Sequence, residues 1–145
     1  MPQFKSARFA HPKAMPVDGR AVYVNDTAAI AVAPLVNDTI DFPLPAGLEI
    51  SSLKLWSSDM DTGTTMAVSV GFAPVNPAST LAANATYFVP TGTAFGRTAG
   101  GITPAFAPIT FQEPVFLRVT VTAAATGFAA GTVACSVGGN ANGPR

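Results

Sequence analysis

The chain has 145 residues, of which 48% are hydrophobic and only 11% charged, and its formal net charge is zero. Average soluble domains carry roughly 25% charged residues, so this composition leaves few charges to keep a bare exterior free of apolar patches, and it predicts a surface covered by copies of the chain or by a partner. The single cysteine, Cys135, excludes an internal disulfide framework, the start Met1-Pro2-Gln3-Phe4-Lys5 lacks the apolar core of a signal peptide, and no apolar run approaches the roughly 18 residues of a membrane span, so no membrane partner is expected.

Residues 1–19 contain Pro2, Pro12, Pro16 and Gly19 and show no period of 2 or 3.6. Proline fixes φ and removes a backbone donor, so this stretch is predicted to be an extended arm without regular structure, with Phe4, Phe9 and Met15 as apolar anchors. Through residue 20 the segment is basic, with Lys5, Arg8, Lys13 and Arg20 against Asp18. The remainder sets four cations against seven acids. Opposite signs of this kind can pair within one molecule or between neighbours.

From residue 20 the period becomes two, the signature of strands. Val22 and Val24 alternate up to Asn25-Asp26, which is read as a turn. Ile30 and Val32 resume the pattern, and Asn37-Asp38 marks a second turn before Ile40 and Phe42. Pro43-Leu44-Pro45-Ala46-Gly47 is a third turn. Residues 50–57 form a strand with Leu53 and Leu55 on one face and Lys54 and Trp56 on the other. Met66, Val68, Val70 and Phe72 alternate with small residues. A connection over 73–85, a short strand at Tyr87–Val89 and a long loop over 90–108 follow. Val115, Leu117, Val119 and Val121 define the next strand, 132–137 the closing one, and 139–145 a flexible tail. No stretch carries three turns of helix. Seven or eight short strands in this order predict an all-β fold: an antiparallel two-sheet sandwich, of jelly-roll type, over residues 20–138.

Catalytic chemistry is hard to assemble from these residues. A triad requires a base held against a nucleophile. The one histidine, His11, lies in the proline-rich arm, which cannot hold it to the required tolerance. One cysteine and one histidine cannot make a zinc site. No phosphate loop with its lysine is present, and the acidic body does not suit nucleic acid. No cofactor is expected, and the chain is read as a non-enzyme. Asp59-Met60-Asp61-Thr62-Gly63 resembles the start of a calcium loop without its closing glutamate, so a pair of Asx turns is the stronger reading and calcium at Asp59 and Asp61 stays open.

The order Phe42-Pro43-Leu44-Pro45-Ala46-Gly47-Leu48-Glu49-Ile50, then Leu53-Lys54-Leu55, Asp59-Met60-Asp61-Thr62-Gly63, Met66-Ala67-Val68-Ser69-Val70-Gly71, and finally Leu117-Arg118-Val119-Thr120-Val121 and Ala130-Gly131-Thr132-Val133 resembles small β-sandwich virion proteins of tailed bacteriophages, among them head decoration (cement) proteins. The resemblance spans residues 36–138. It implies a virion protein on the capsid exterior, assembled in the host cytoplasm, with the major capsid protein as partner and a homo-oligomer, a trimer favoured, as its state. It brings no catalytic residues. The arm lies outside the matched region, and Phe4, Arg8, Phe9 and Lys13 are its candidate capsid contacts on charge and hydrophobicity alone. Two alternatives stay open. One is a carbohydrate- or receptor-binding module using Trp56, Tyr87 and Phe95 as platforms, and the other is a head-completion component.

Overall fold

Two-residue alternation sets the architecture. The computed structural model describes residues 3–5 and 21–142, and every regular element among them is a strand. These are β1 (Gln3–Lys5), β2 (Ala21–Ile30), β3 (Thr39–Leu44), β4 (Leu48–Ser57), β5 (Ala67–Pro74), β6 (Asn84–Ala94), β7 (Gly100–Ile102), β8 (Ile109–Thr110), β9 (Val115–Ala123) and β10 (Gly131–Ala141). One sheet runs β1-β3-β9-β5-β6; the other runs β2-β10-β4-β7, with β8 also paired to β4. The β5–β6 connection stays in its sheet, whereas β2–β3, β3–β4, β4–β5, β6–β7, β8–β9 and β9–β10 all cross between sheets. The expected two-sheet sandwich is thus present. All pairings are antiparallel except β1 on β3, which is parallel.

The core lies between the sheets. Ile40 and Phe42 of β3, Val68 and Val70 of β5, and Leu117, Val119 and Val121 of β9 face Leu53 and Leu55 of β4 and Val133 and Val137 of β10. Each such side chain, fully buried, contributes about 1.5–3 kcal/mol relative to exposure. Cys135 is buried among them as a small apolar group.

Several local expectations are corrected. Asn25-Asp26 is not a turn: β2 runs straight through it, laddered to β10 from Ile30↔Gly131 to Ala21↔Asn140. Val24, Asp26, Ala28 and Ile30 are all buried, so the inward period and the ladder override the local turn preference. The same Asn-Asp-Thr triplet at residue 37 does turn, with Asn37 at φ 73. Strand β10 continues to Ala141, so residues 139–141 belong to the sheet and not to a free tail. This works because Gly139 passes so close to β4 that a Cβ there would meet the Glu49 carbonyl oxygen at 1.6 Å. Strand β6 is longer than Tyr87–Val89, because shifts of register against β5 let it bend without ending. Strand β7 lies inside the stretch expected to be loop. Finally, β1 is a strand within the expected irregular arm.

Strand register gathers four connections at one end of the sandwich. Ile30 pairs with Gly131, Ser57 with Val133 and Gly100, Thr39 with Thr120, and Ala67 with Ala94 and Ala123. The segments 31–38, 58–66, 95–99 and 124–130 therefore meet there.

Candidate interaction surfaces

Three of these four segments are tied at one buried carboxylate. Asp61 Oδ1 accepts the N–H groups of Gly63 (2.9 Å), Thr126 (3.1 Å) and Gly127 (3.2 Å). Its Oδ2 accepts those of Thr65 and Met66 (2.6 Å each) and the Thr65 hydroxyl (3.2 Å). Burial by itself would raise the carboxyl pKa. The N–H donors of Met66, Gly127, Thr65 and Gly63 outweigh it together and hold the group far below the usual carboxylate range. The N–H groups of Gly63, Thr65, Met66, Thr126 and Gly127 already fill the roughly four lone-pair sites of the two oxygens, leaving none for a cation, so Asp61 is a loop tie and not a calcium ligand. The Asx-turn reading holds for Gly63, and the structure extends it to the β9–β10 loop. The tie also reaches segment 95–99: the Met60 and Asp61 N–H groups donate to the Gly96 carbonyl (2.8 and 2.9 Å).

On this rigid end the β2–β3 connection exposes apolar side chains. Val32 is 69% exposed, Leu35 62% and Val36 50%. The turn carrying Leu35 and Val36 is built, not loose. Asp38 N–H donates to the Leu35 carbonyl (3.1 Å) and the Leu35 N–H to Asp38 Oδ2 (2.8 Å). The Asn37 N–H reaches the Val121 carbonyl (2.8 Å), and the Val121 N–H returns to the Asp38 carbonyl (2.9 Å). With positive φ at its third residue, Leu35–Asp38 has the form of a type II turn, for which asparagine is suited. Leu35 and Val36 are therefore held outward at its tip. Reading the sequence by period alone missed this surface. The signal was present in Pro34-Leu35-Val36-Asn37-Asp38, where large apolar residues precede a turn pair.

Of the arm's contact candidates, Phe4 is described; Arg8, Phe9 and Lys13 lie outside the described residues. Phe4 pairs with Ile40 and packs, half-buried, against the chain's own core. At this point the chain docks on its own body. Beside it, Asp41 is fully buried and receives a two-pronged contact from Arg118: Nε to Oδ1 and Nη2 to Oδ2, both 2.8 Å. The Gln3 side-chain amide donates to the same Oδ2. The bond to Asp41 raises the Arg118 pKa above its ordinary value. One carboxylate thus joins β1, β3 and β9.

The outer face of the second sheet offers a different surface. Ala134, Ser136 and Gly138 on the central strand β10 are small, and Tyr23 and Trp56 stand on its flanks, 72% and 42% exposed. A depression of ≈ 450 Å³ there is lined in part by Thr27, Lys54, Trp56 and Ser136. The other two expected platforms are corrected. Phe95 is buried in the core. Tyr87 is partly buried, packs edge-on against Phe72 and Phe88, and spends its hydroxyl on the Ala107 carbonyl.

No protein-family model matches the sequence, and no curated protein does. Solved structures match in fold. One is a chain in the capsid of Ralstonia phage GP4, 19% identical, with a TM-score of 0.76 and an alignment covering 99% of this chain and 100% of that one. Another is a chain in the capsid asymmetric unit of cyanophage Pam1, 18% identical, with a TM-score of 0.61 and 90% and 94% covered.

Proposed function

We propose that the chain is a structural component of a bacteriophage virion and, within it, a decoration (cement) protein that binds the outer surface of the major capsid shell and stabilises it without catalysis. The observation that carries this reading is the likeness over 99% of this chain to the whole of a chain in a phage capsid. The strand order supports it. With β1 and β8 set aside, the eight remaining strands run first-eighth-third-sixth in one sheet and second-seventh-fourth-fifth in the other. That is the order of the jelly roll, a double-sheet form found in viral capsid and lectin domains.

The action is that of a clamp. The rigid turn bearing Leu35 and Val36, with Val32 preceding it in the same connection, supplies a preformed apolar contact, and preorganisation limits the ordering cost of binding. The basic residues Arg8 and Lys13, with Phe9, supply a second contact. Repeated over the shell through a homo-oligomer, a trimer by preference, weak contacts add through effective concentration. Assembly takes place in the host cytoplasm, and the product sits on the capsid exterior.

The test is sedimentation of purified protein with undecorated mature heads, counting copies bound at saturation. Decoration requires a saturable number on the order of hundreds, set by symmetry-related shell sites. Absence of binding, or about a dozen copies at one vertex or tail junction, refutes decoration and points to head completion. The exposed Trp56 beside Lys54, Thr27 and Ser136 favours one second reading, a carbohydrate-binding module. Glycan binding by the isolated protein, lost in Trp56→Ala, would establish that reading instead.

A further inference from the structure

Ser57 closes β4 with its side chain turned inward. Its Oγ is fully buried and has no hydrogen-bond partner. Buried hydroxyls are rarely left in this state, and Ser57 lines a pocket of ≈ 150 Å³ together with Phe95, Gly96, Arg97, Thr98 and Gly101. Arg97 is the only ionisable residue in the lining, which contains no carboxylate. Its guanidinium is fixed by two bonds, from Nε to the Met66 carbonyl (2.7 Å) and from Nη2 to the Thr65 carbonyl (3.4 Å). A guanidinium has five N–H donors, so three remain for a ligand. The backbone N–H groups of Arg97 and Thr98 also have no protein acceptor among the described residues. Gly96, at φ +76, allows the bend, because a Cβ there would meet the Met66 sulfur at 2.8 Å.

A fixed guanidinium, a buried unpartnered hydroxyl and two adjacent N–H groups without a protein acceptor, in a lining that holds no carboxylate, suit an anion. The volume sets the ligand's size. Pockets for drug-sized ligands run to roughly 300–1,000 Å³, so this one, at ≈ 150 Å³, suits a single small group. We infer that the Ser57–Arg97 pocket is a binding site for one small oxyanion, a phosphate or a carboxylate group, taken either as a free ion or from an acidic side chain of a partner. The inference does not depend on the proposed virion role.

The test uses the full-length protein, labelled with ¹⁵N. It is titrated with sodium phosphate and separately with sodium acetate, each against sodium chloride at matched ionic strength. Saturable amide shifts confined to residues 96–101 are expected. A stronger response to phosphate assigns the site to a tetrahedral ion, and a stronger response to acetate assigns it to a carboxylate. Ser57→Ala should weaken binding about tenfold, the loss of one hydrogen bond to a charged group. Arg97→Gln should abolish saturation. Because Arg97 also braces two loops, Thr98→Pro, which removes one of the two backbone N–H donors at an exposed position, serves as a second variant and should weaken the site while leaving the β3 and β9 amides unmoved. No saturable shift with either anion, or equal shifts in wild type and Arg97→Gln, would overturn the assignment and leave the pocket to water.

Discussion

Arg118→Met should expose how much of the fold hangs on the Asp41 carboxylate. Asp41 is fully buried and holds three donors: Arg118 Nε, Arg118 Nη2 and the Gln3 amide. Removing the arginine strands the carboxylate with Gln3 alone. Breaking a buried ion pair from one side costs about 3–5 kcal/mol. The Arg118 side chain keeps 30% exposure, so water reaches its outer edge and the lower bound applies, about 3 kcal/mol. For a protein of this size 1 kcal/mol moves the Tm by about 2–4 °C, so thermal unfolding at neutral pH should fall by roughly 6–12 °C. Amide hydrogen exchange should quicken first at Phe4, Ile40 and Val119, since β1 loses its anchor together with the pair. Replacing both partners, Arg118→Met with Asp41→Leu, should restore most of the stability, because the cost lies in the orphaned charge. A single variant that loses less than about 1 kcal/mol, the range of exposed pairs, would refute the reasoning, as would a double variant less stable than the single.

Other outcomes follow from the same geometry. The Asp61 pKa is depressed in the folded state, so its contribution to stability is present above the unfolded value of about 3.9 and is lost as the pH falls below it. Acid titration followed by NMR should show residues 62–66 and 124–128 loosening before the strands do, and Asp61→Asn should remove that early step. Thr64 sits at φ 59, a left-handed conformation that costs a β-branched residue of order 1–3 kcal/mol. Thr64→Gly should relieve part of this and raise the Tm by about 2 °C; a fall would show that the strain is absent. Leu35→Asp with Val36→Asp should leave the Tm within about 2 °C of wild type but reduce binding to undecorated heads at least tenfold, as expected for losing two apolar contacts.

The fold was largely legible because its strands obey a period of two. Val115 to Val121 and Met66 to Phe72 read correctly from alternation alone, and the burial of Leu53 and Leu55 opposite Lys54 and Trp56 followed from the same rule. Places where local chemistry and long-range pairing disagree could not be read. Asn25-Asp26 and Asn37-Asp38 are the same dipeptide; one lies mid-strand because β10 ladders along it, and the other turns, with Asn37 at φ 73 and the bend held by Val121 of β9. Strand β1 escaped because three residues carry no period, and the groups that hold it, Asp41 and Arg118, lie far along the chain. The role of Asp61 was half visible. Its Asx turn to Gly63 is local, whereas its bonds to Thr126 and Gly127 span more than sixty residues.

Charge poverty and the apolar turn are two sides of one surface. Seven acids lie beyond residue 20, which suggested an acidic body opposite a basic arm. Four of them, Asp26, Asp38, Asp41 and Asp61, are buried. Their work is internal: Asp38 caps the Leu35 turn, Asp41 ties β1, and Asp61 knots three loops. The exterior therefore carries even fewer negative charges than the composition implies, and long-range attraction between arm and body is correspondingly weak. An exterior with so few charges and three large apolar side chains at one rigid end is poorly protected against association. Placed on a lattice, the same features become useful. In the proposed decoration role, a turn already locked by Asp38 and Asn37 would bind with little loss of conformational freedom, and the repeat of a shell would multiply each modest contact. Two of these inward carboxylates, Asp38 and Asp61, hold the end that carries Leu35 and Val36 in shape.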